Sequence, residues 1–275
     1  MEAQSYMDLI TREALFNQIR FWILEAGTII REKIDHPLKI NFKSNPKDLV
    51  TEMDKEVEFF FASKIKEYYP DHLLLSEEGF GDQLLTIDGT VWILDPIDGT
   101  MNFVHQKQNF AISLAVYDEG VGEIGFIYDV MNDNLYSALK DGGAYKNNKK
   151  LPPLNPHKRL NEAVISINHR WLIENRYVDE KVMQQLVREV RGTRTYGSAA
   201  IEFGYVAEGA IDAYITMRLE PWDIAAGRII VAEVGGLTTN IVGERVNLLG
   251  RNSIITCNPN IHQEILNKYL LKAKK

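Results

Sequence analysis

The chain has 275 residues, 45% of them hydrophobic and 25% charged, and a net charge of −7. These values fit one large globular domain or two small ones. The acidic balance excludes a general binder of nucleic acid or anionic membrane, since both need a basic surface. The single cysteine, Cys257, rules out an intramolecular disulfide, and no apolar run reaches the ~18 residues of a membrane span. An N-terminus without a signal-peptide pattern adds the expectation of a cytoplasmic protein. The negative charge leaves phosphorylated substrates open, because bound divalent cations reverse the field of an acidic site.

Residues 5 to 33 carry Leu9, Ile10, Ala14, Phe16, Ile19, Trp22, Ile23, Ala26 and Ile30 at helical spacing, and Pro37 closes the segment. A short strand is expected at Leu38 to Phe42. Thr51 and Asp54 have the spacing of an N-cap and third helical residue, so a second helix runs from there to about Tyr69. Leu73 to Leu75 reads as a buried strand that ends in Ser76-Glu77-Glu78-Gly79, and residues 79 to 90 read as a surface loop. Val91 to Leu94 is a second buried strand, and it runs into Asp95-Pro96-Ile97-Asp98-Gly99-Thr100. Strands then follow at Phe110 to Tyr117, Ile124 to Tyr128, Leu135 to Leu139 and Ala144-Tyr145, with a hairpin signal at Asn147-Asn148. Such closely spaced strands predict a mainly antiparallel sheet.

The second half mixes strands at Ala163 to Ile167, Arg191 to Tyr196, Ile211 to Thr216 and Ser253 to Cys257 with four helices. These run from Tyr177 to Arg188, from Gly197-Ser198 to about Glu208, from Pro221 to Val234, and from Asn258 to Lys275. With no linker, the pattern predicts a layered α/β (α+β) fold whose active site lies between two sheets.

Acids gather where buried strands end or helices begin: Asp54, Glu77, Asp95, Asp98 and Asp223. Hard oxygen ligands in a partly open site suit Mg²⁺. Scattered histidines and a lone cysteine argue against zinc. Asp98-Gly99-Thr100 adds an anion cradle, because a glycine at a helix start lets backbone N–H groups face a phosphate. Cations beside such a cradle imply phosphate transfer, one ion lowering the pKa of a water and another stabilising the leaving oxygen. No Walker lysine motif is present, so attack by water is favoured over nucleotide triphosphate binding. Taken singly, Asp95 and Asp98 also fit a helix-capping surface turn, and Asp223 a plain N-cap.

Three segments together go further. Glu77-Glu78, Trp92 through Phe103 and Trp222-Asp223-Ile224-Ala225-Ala226-Gly227 closely resemble the three motifs of the inositol monophosphatase family, in order and spacing. The resemblance covers about residues 40 to 240. It implies a layered αβαβα sandwich, residues 1–275 forming a single domain with sub-halves of about 1–155 and 156–275. It also implies a homodimer that hydrolyses a small phosphomonoester with two or three Mg²⁺ ions, and inhibition by lithium. Carried over by position, Glu77, Asp95, the Ile97 carbonyl, Asp98 and Asp223 match metal ligands, and Asp54 matches an acid serving a weaker ion. Thr100 with Glu77 resembles the pair that orients the attacking water, and Gly99 with Thr100 the phosphate cradle. Lys43 matches a lysine at the phosphate entrance; Gly197, Ser198 and Ala199 match a turn facing the sugar alcohol, a side on which Asp223 also borders.

One position departs from the family pattern. Where the animal inositol enzymes have a glutamate that hydrogen-bonds inositol, this chain has Thr216. Inositol monophosphate is the expected substrate. The shorter side chain keeps NADP and sugar or nucleotide phosphates as alternatives, since a hydroxyl-matched pocket discriminates strongly. A non-enzymatic regulator with a residual metal site is disfavoured by the complete set of acids.

Overall fold

The computed structural model describes residues 7–36, 40–42 and 49–273. Helix α1 (Leu9–Lys33) starts at Asp8, whose side chain accepts from the Thr11 N–H at 2.7 Å, and it buries Leu15, Ile19, Trp22, Ile23, Ala26 and Ile30. Its expected first residue, 5, lies outside the described residues. Strand β1 (Ile40–Phe42) pairs antiparallel with β2 (Leu49–Thr51), which sequence reading did not anticipate because it is only three residues long. The expected positions 38, 39 and Lys43 lie outside the described residues.

Helix α2 (Glu52–Tyr68) opens with the anticipated capping box between Thr51 and Asp54. Strand β3 (Leu73–Ser76) pairs parallel with β4 (Thr90–Asp98). After the short helix α3 (Thr100–Gln106) come β5 (Ala111–Asp118), β6 (Val121–Asp129), β7 (Asn134–Leu139), β8 (Gly143–Lys146) and β9 (Lys149–Lys150). From β4 to β9 every pairing is antiparallel, as expected, and the seven strands β3 to β9 form one sheet in chain order. Asn147 sits at φ 54°, in the left-handed region its hairpin turn requires.

The second half forms a five-stranded sheet ordered β11-β10-β12-β14-β13. Its elements are β10 (Val164–Ile167), α4 (Glu180–Glu189), β11 (Gly192–Arg194), α5 (Ala199–Ala207), β12 (Ala213–Leu219), α6 (Pro221–Ala232), β13 (Leu237–Thr239) and β14 (Asn252–Cys257). The chain continues in α7 (Pro259–Ile265), through a π turn over Leu266–Leu270, to Leu271–Ala273; residues 274 and 275 lie outside the description. Helix α4 begins later than Tyr177 because Asp179 is the cap, accepting from the Lys181 N–H at 2.8 Å. Strand β11 is shorter than the expected Arg191 to Tyr196.

Burial assigns the layers. On the large sheet Trp92, Leu94, Leu114 and Phe126 pack against α1 and α2. The alternate residues Val91, Ile93, Ala115 and Tyr117 pack against α5 and α6. On the small sheet Tyr214, Leu219 and Ile254 face α5 and α6, whereas Ala213, Ile215, Ile255 and Cys257 face α4 and α7. The period-2 alternation of both sheets thus builds the αβαβα sandwich. Helix α6 lies hard against β6: a Cβ on Gly125 would stand 2.7 Å from the Ala226 carbonyl oxygen. Among the described residues no helix is long and apolar enough to cross a membrane.

Candidate active site

The centre of the site is an irregularity in β4. Asp95 pairs with Ser113 and Asp98 with Ala111, so three steps on β4 oppose two on β5, which is a β-bulge. Pro96 sits inside it, a place where the missing N–H leaves no ladder bond unmade. In a regular strand residues 95 and 98 would point to opposite faces. The extra residue reverses the alternation: Ile97 packs toward α1 and α2, with Trp92 and Leu94. Asp98 thereby joins Asp95 on the α5–α6 side. Sequence reading ended the strand at Leu94; the ladder in fact runs through the motif.

Asp223 arrives from the other half, at the third position of α6. Its carboxylate Oδ2 accepts from the Glu220 N–H at 2.8 Å, closing a capping box that fixes the side chain. One ligand oxygen each from Asp95, Asp98 and Asp223 lie within 4.8 Å of one another. Asp98 is held from the side by α5: the Ser198 hydroxyl and the Ala200 N–H, at 2.5 and 2.6 Å, both donate to its Oδ2. Ser198 also caps α5, accepting from the Ile201 N–H. Ala199 is the first residue of that helix.

Parallel pairing of Ser76 with Leu94 brings Glu77 beside Asp95, and their side chains share a hydrogen bond. Burial, then the charges of Glu77, Asp98 and Asp223, push the Asp95 carboxyl well above the usual range. Burial likewise raises Asp223, with Asp98 and Glu77 adding to it. Burial pushes Asp98 up to about 6, against the hydrogen bonds from Ser198 and Ala200. Buried oxygen ligands that repel one another fit a hard divalent cation, which would replace the protons such a cluster otherwise retains.

Beyond the bulge the chain turns through Gly99 at φ 95° into α3. The left-handed conformation suits glycine, and space does too: a Cβ would stand 3.2 Å from that of Ser198 and 3.3 Å from the Gly197 carbonyl. The first amides of α3, from Thr100 onward, lack intrahelical partners and are free to face an anion. The Thr100 hydroxyl lies 3.3 Å from Asp54 Oδ1 and 3.2 Å from the Ile97 carbonyl, and it has one proton to donate between them. Asp54 Oδ2 meanwhile accepts from the Thr51 N–H and hydroxyl, at 2.8 and 2.5 Å. Capping α2 and holding Thr100 are therefore joint roles of one carboxylate. Gly197 is left-handed, at φ 81°. Thr216 is buried on β12 on the same face as Tyr214 and in hydrogen-bond contact with its hydroxyl.

Sequence reading missed two buried carboxylates that shape the site's backbone. Glu58, fully buried on α2, accepts from the Ser76 hydroxyl (2.8 Å), the Glu78 N–H (2.6 Å) and the Phe80 N–H (2.7 Å), gripping the loop on both sides of Glu77. Glu202 on α5 accepts from Ser166, from the Tyr196 N–H at 2.9 Å and from the Gly197 N–H at 3.3 Å, holding the turn before Ser198. The signals were available. Glu58 lies one turn after Asp54 on the same helix face, and Glu202 interrupts an otherwise apolar helix. Tyr214 was also overlooked; Asp98 and Asp223 lie near enough to add to the effect of burial in raising its hydroxyl pKa.

Comparison with known proteins places the chain in a family. The model of the inositol monophosphatase family matches residues 13–275. An inositol-1-monophosphatase of Bacillus subtilis is 53% identical over 253 residues, covering 92% of this chain and 95% of that protein. Inositol monophosphatase II of Staphylococcus aureus superposes with a TM-score of 0.86 at 44% identity, covering 94% of each chain. Structures of a staphylococcal enzyme of this type hold inositol monophosphate and 2′-AMP. An IMPase/NADP phosphatase complexed with NADP and Ca²⁺ gives a TM-score of 0.88 at 28% identity, covering 98% of this chain and 100% of that one. This chain belongs to the inositol monophosphatase family.

Proposed function

We propose that the protein is a Mg²⁺-dependent phosphomonoesterase that hydrolyses inositol monophosphate. The observation that carries this reading is the β4 bulge, which sets Asp95 and Asp98 on one face, beside Asp223 and against the Gly99–Thr100 helix start. Asp95, Asp98, Asp223, Glu77 and the Ile97 carbonyl would hold two or three ions. Mg²⁺ bound there supplies Lewis-acid polarisation of the phosphoryl group and lowers the pKa of a water. The Gly99 and Thr100 amides grip the phosphate. Thr100, steadied by Asp54, orients the attacking water together with Glu77. Gly197, Ser198, Ala199 and Thr216 face the alcohol, with Asp223 at its border. Lys43, which lies outside the described residues, is assigned to the phosphate entrance on the sequence alone.

Residues 1–275 act as one domain, the half of about 1–155 bringing Asp95 and Asp98 and the half of about 156–275 bringing Asp223. We place it in the cytoplasm as a homodimer; a monomer mass by light scattering would remove the dimer. The function is tested by phosphate release from inositol 1-phosphate with Mg²⁺ and with EDTA. No turnover across a panel of phosphomonoesters would leave a binding role instead.

Glu58 is expected to act through Glu77. In Glu58→Gln one acceptor oxygen becomes an NH₂ group set against N–H or hydroxyl donors. The Mg²⁺ concentration for half-maximal activity should rise about tenfold or more, the usual cost of losing a group that orients a metal ligand. An unchanged Mg²⁺ requirement in a folded variant would remove this role.

Thr216 favours a second reading, hydrolysis of a nucleotide 2′-phosphate such as that of NADP. Thr216→Glu should shift the ratio of kcat/KM toward inositol phosphate by about tenfold, because a restored acceptor rewards ring hydroxyls. If the ratio stays put, position 216 does not choose the substrate.

A further inference from the structure

Asn102 shares the segment of Asp95, Asp98 and Thr100, and no step of the proposed chemistry uses it. It is the third residue of α3 and is 7% exposed. Its Nδ2 donates to the Asn109 carbonyl at 2.8 Å and to the Tyr196 carbonyl at 2.7 Å. Only the nitrogen end of an amide can donate to two carbonyls, so the orientation of the side chain is fixed. The first bond closes the loop after α3. The second crosses to the other half of the chain, 94 positions away.

The Tyr196 carbonyl belongs to the same peptide unit as the Gly197 N–H. That N–H donates to Glu202 at 3.3 Å, and the Tyr196 N–H donates to the same carboxylate oxygen at 2.9 Å. The peptide plane is therefore gripped at both poles, by Asn102 from one half and by Glu202 from the other. A rigid plane held at two ends does not swivel, and its tilt decides where the Gly197–Ala199 turn points. Gly197 fits closely against the strut: a Cβ there would stand 3.0 Å from Asn102 Nδ2 and 3.1 Å from its Oδ1. The close approach of Gly99 to Ser198 lies beside it, so cradle and turn share one support.

We propose that Asn102 is a positioning residue: its two hydrogen bonds set the Gly197–Ala199 turn in register with the Gly99–Thr100 cradle, so that the alcohol and the phosphate of one substrate are held together correctly. The proposal rests on the phosphomonoesterase reading, with the turn facing the alcohol, and deepens it: register across the seam comes from an uncharged amide. Asp98 also joins the halves, through Ser198 and Ala200, but it is assigned to an ion. Asparagine suits the joint where aspartate would not, since two carbonyl oxygens would face a carboxylate with no donor between them.

Asn102→Ala leaves room for water to satisfy both carbonyls, so the fold should persist while the register loosens. On inositol 1-phosphate the variant should lose about tenfold or more in kcat/KM, mainly through KM. On 4-nitrophenyl phosphate, whose leaving group carries no ring hydroxyls, it should change within about twofold. The inhibition constant of inorganic phosphate, which reads the cradle alone, should also stay within about twofold. A merely structural role would instead lower kcat on both substrates alike, by reducing the folded fraction. Glu202→Gln weakens the opposite pole, a neutral acceptor replacing a charged one, and should give a smaller loss, about threefold, with the same selectivity. It decides the outcome if Asn102→Ala does not fold. Equal effects on the two substrates, or a matching rise in the phosphate constant, overturn the proposal. A wild type that hydrolyses neither substrate overturns the phosphatase reading instead, and calorimetric titration with inositol 1-phosphate and with inorganic phosphate in Mg²⁺ then tests the joint. Asn102→Ala should bind the first about tenfold more weakly and the second within about twofold of wild type. Parallel changes, or no binding of either by wild type, overturn the joint.

Discussion

Asp95→Asn should lower kcat on inositol 1-phosphate by at least ~100-fold while the protein stays folded. The substitution preserves shape, and the Asn side-chain oxygen can still accept the 3.0 Å hydrogen bond that Asp95 Oδ1 receives from the Ile97 N–H. What disappears is one full charge at the centre of a buried cluster of acids. A neutral amide holds Mg²⁺ weakly, so the loss falls on chemistry rather than architecture. The same change relieves repulsion with Glu77, Asp98 and Asp223, which together with burial raise the Asp95 pKa. The metal-free variant is therefore expected to melt at or above the wild-type temperature near neutral pH, as happens when a site built for function is stripped of its strain. Near-normal turnover would sink the metal assignment. A lower melting temperature would mean that Asp95 serves the fold.

The second large effect concerns pH and magnesium. Asp98 has a folded pKa of about 6 against an ordinary 3.8, and Asp95 and Asp223 are also raised. A raised carboxyl keeps its proton in the native state after the unfolded chain has lost it. The unfolded state then binds fewer protons, and stability falls as pH rises. For Asp98 this loss runs from about pH 4 to about pH 6 and is complete above that; for Asp95 and Asp223 it also starts near pH 4. Mg²⁺ must displace those protons, so its binding strengthens as pH rises. Saturating Mg²⁺ at ~100 times its dissociation constant adds about 2.7 kcal/mol, a rise of roughly 5 °C or more in Tm at about pH 7.5. At about pH 5 the rise should be much smaller. Calorimetric melts with and without Mg²⁺ at the two pH values check this. A Tm shift as large in acid as at the higher pH would show that the buried acids do not receive the ion.

Much of the architecture was legible from spacing alone. The apolar stripe of α1, the Thr51–Asp54 capping box and the antiparallel run from β4 to β9 follow from local rules that hold wherever the chain sits. The exceptions share a cause. Strands β2 and β13 are three residues each, too short for alternation to register, and they exist because a neighbouring strand pairs with them. Helix α4 starts at Glu180 rather than Tyr177, because the cap residue Asp179, not the first apolar side chain, stops the fraying of a helix.

The residue types of the site were likewise present in three segments, but their partners were not. Glu58 and Glu202 looked like ordinary helix acids. Only burial, and the amides they meet across loops, show them to be backbone clamps.

The order of acids, glycine and threonine between Asp95 and Thr100 was determined by the sequence itself, and with it the capacity to hold a cation beside a phosphate. What only the tertiary structure decided is that these groups act together. A strand's period of two would send Asp95 and Asp98 to opposite faces; one unpaired residue around Pro96 brings them to the same face. Asp223 and Ser198 then reach that face from α6 and α5, because the helix layer between the sheets places both N-termini there. Composition and local propensity fix which groups a segment carries. Packing between distant segments fixes which of them come within ligand distance.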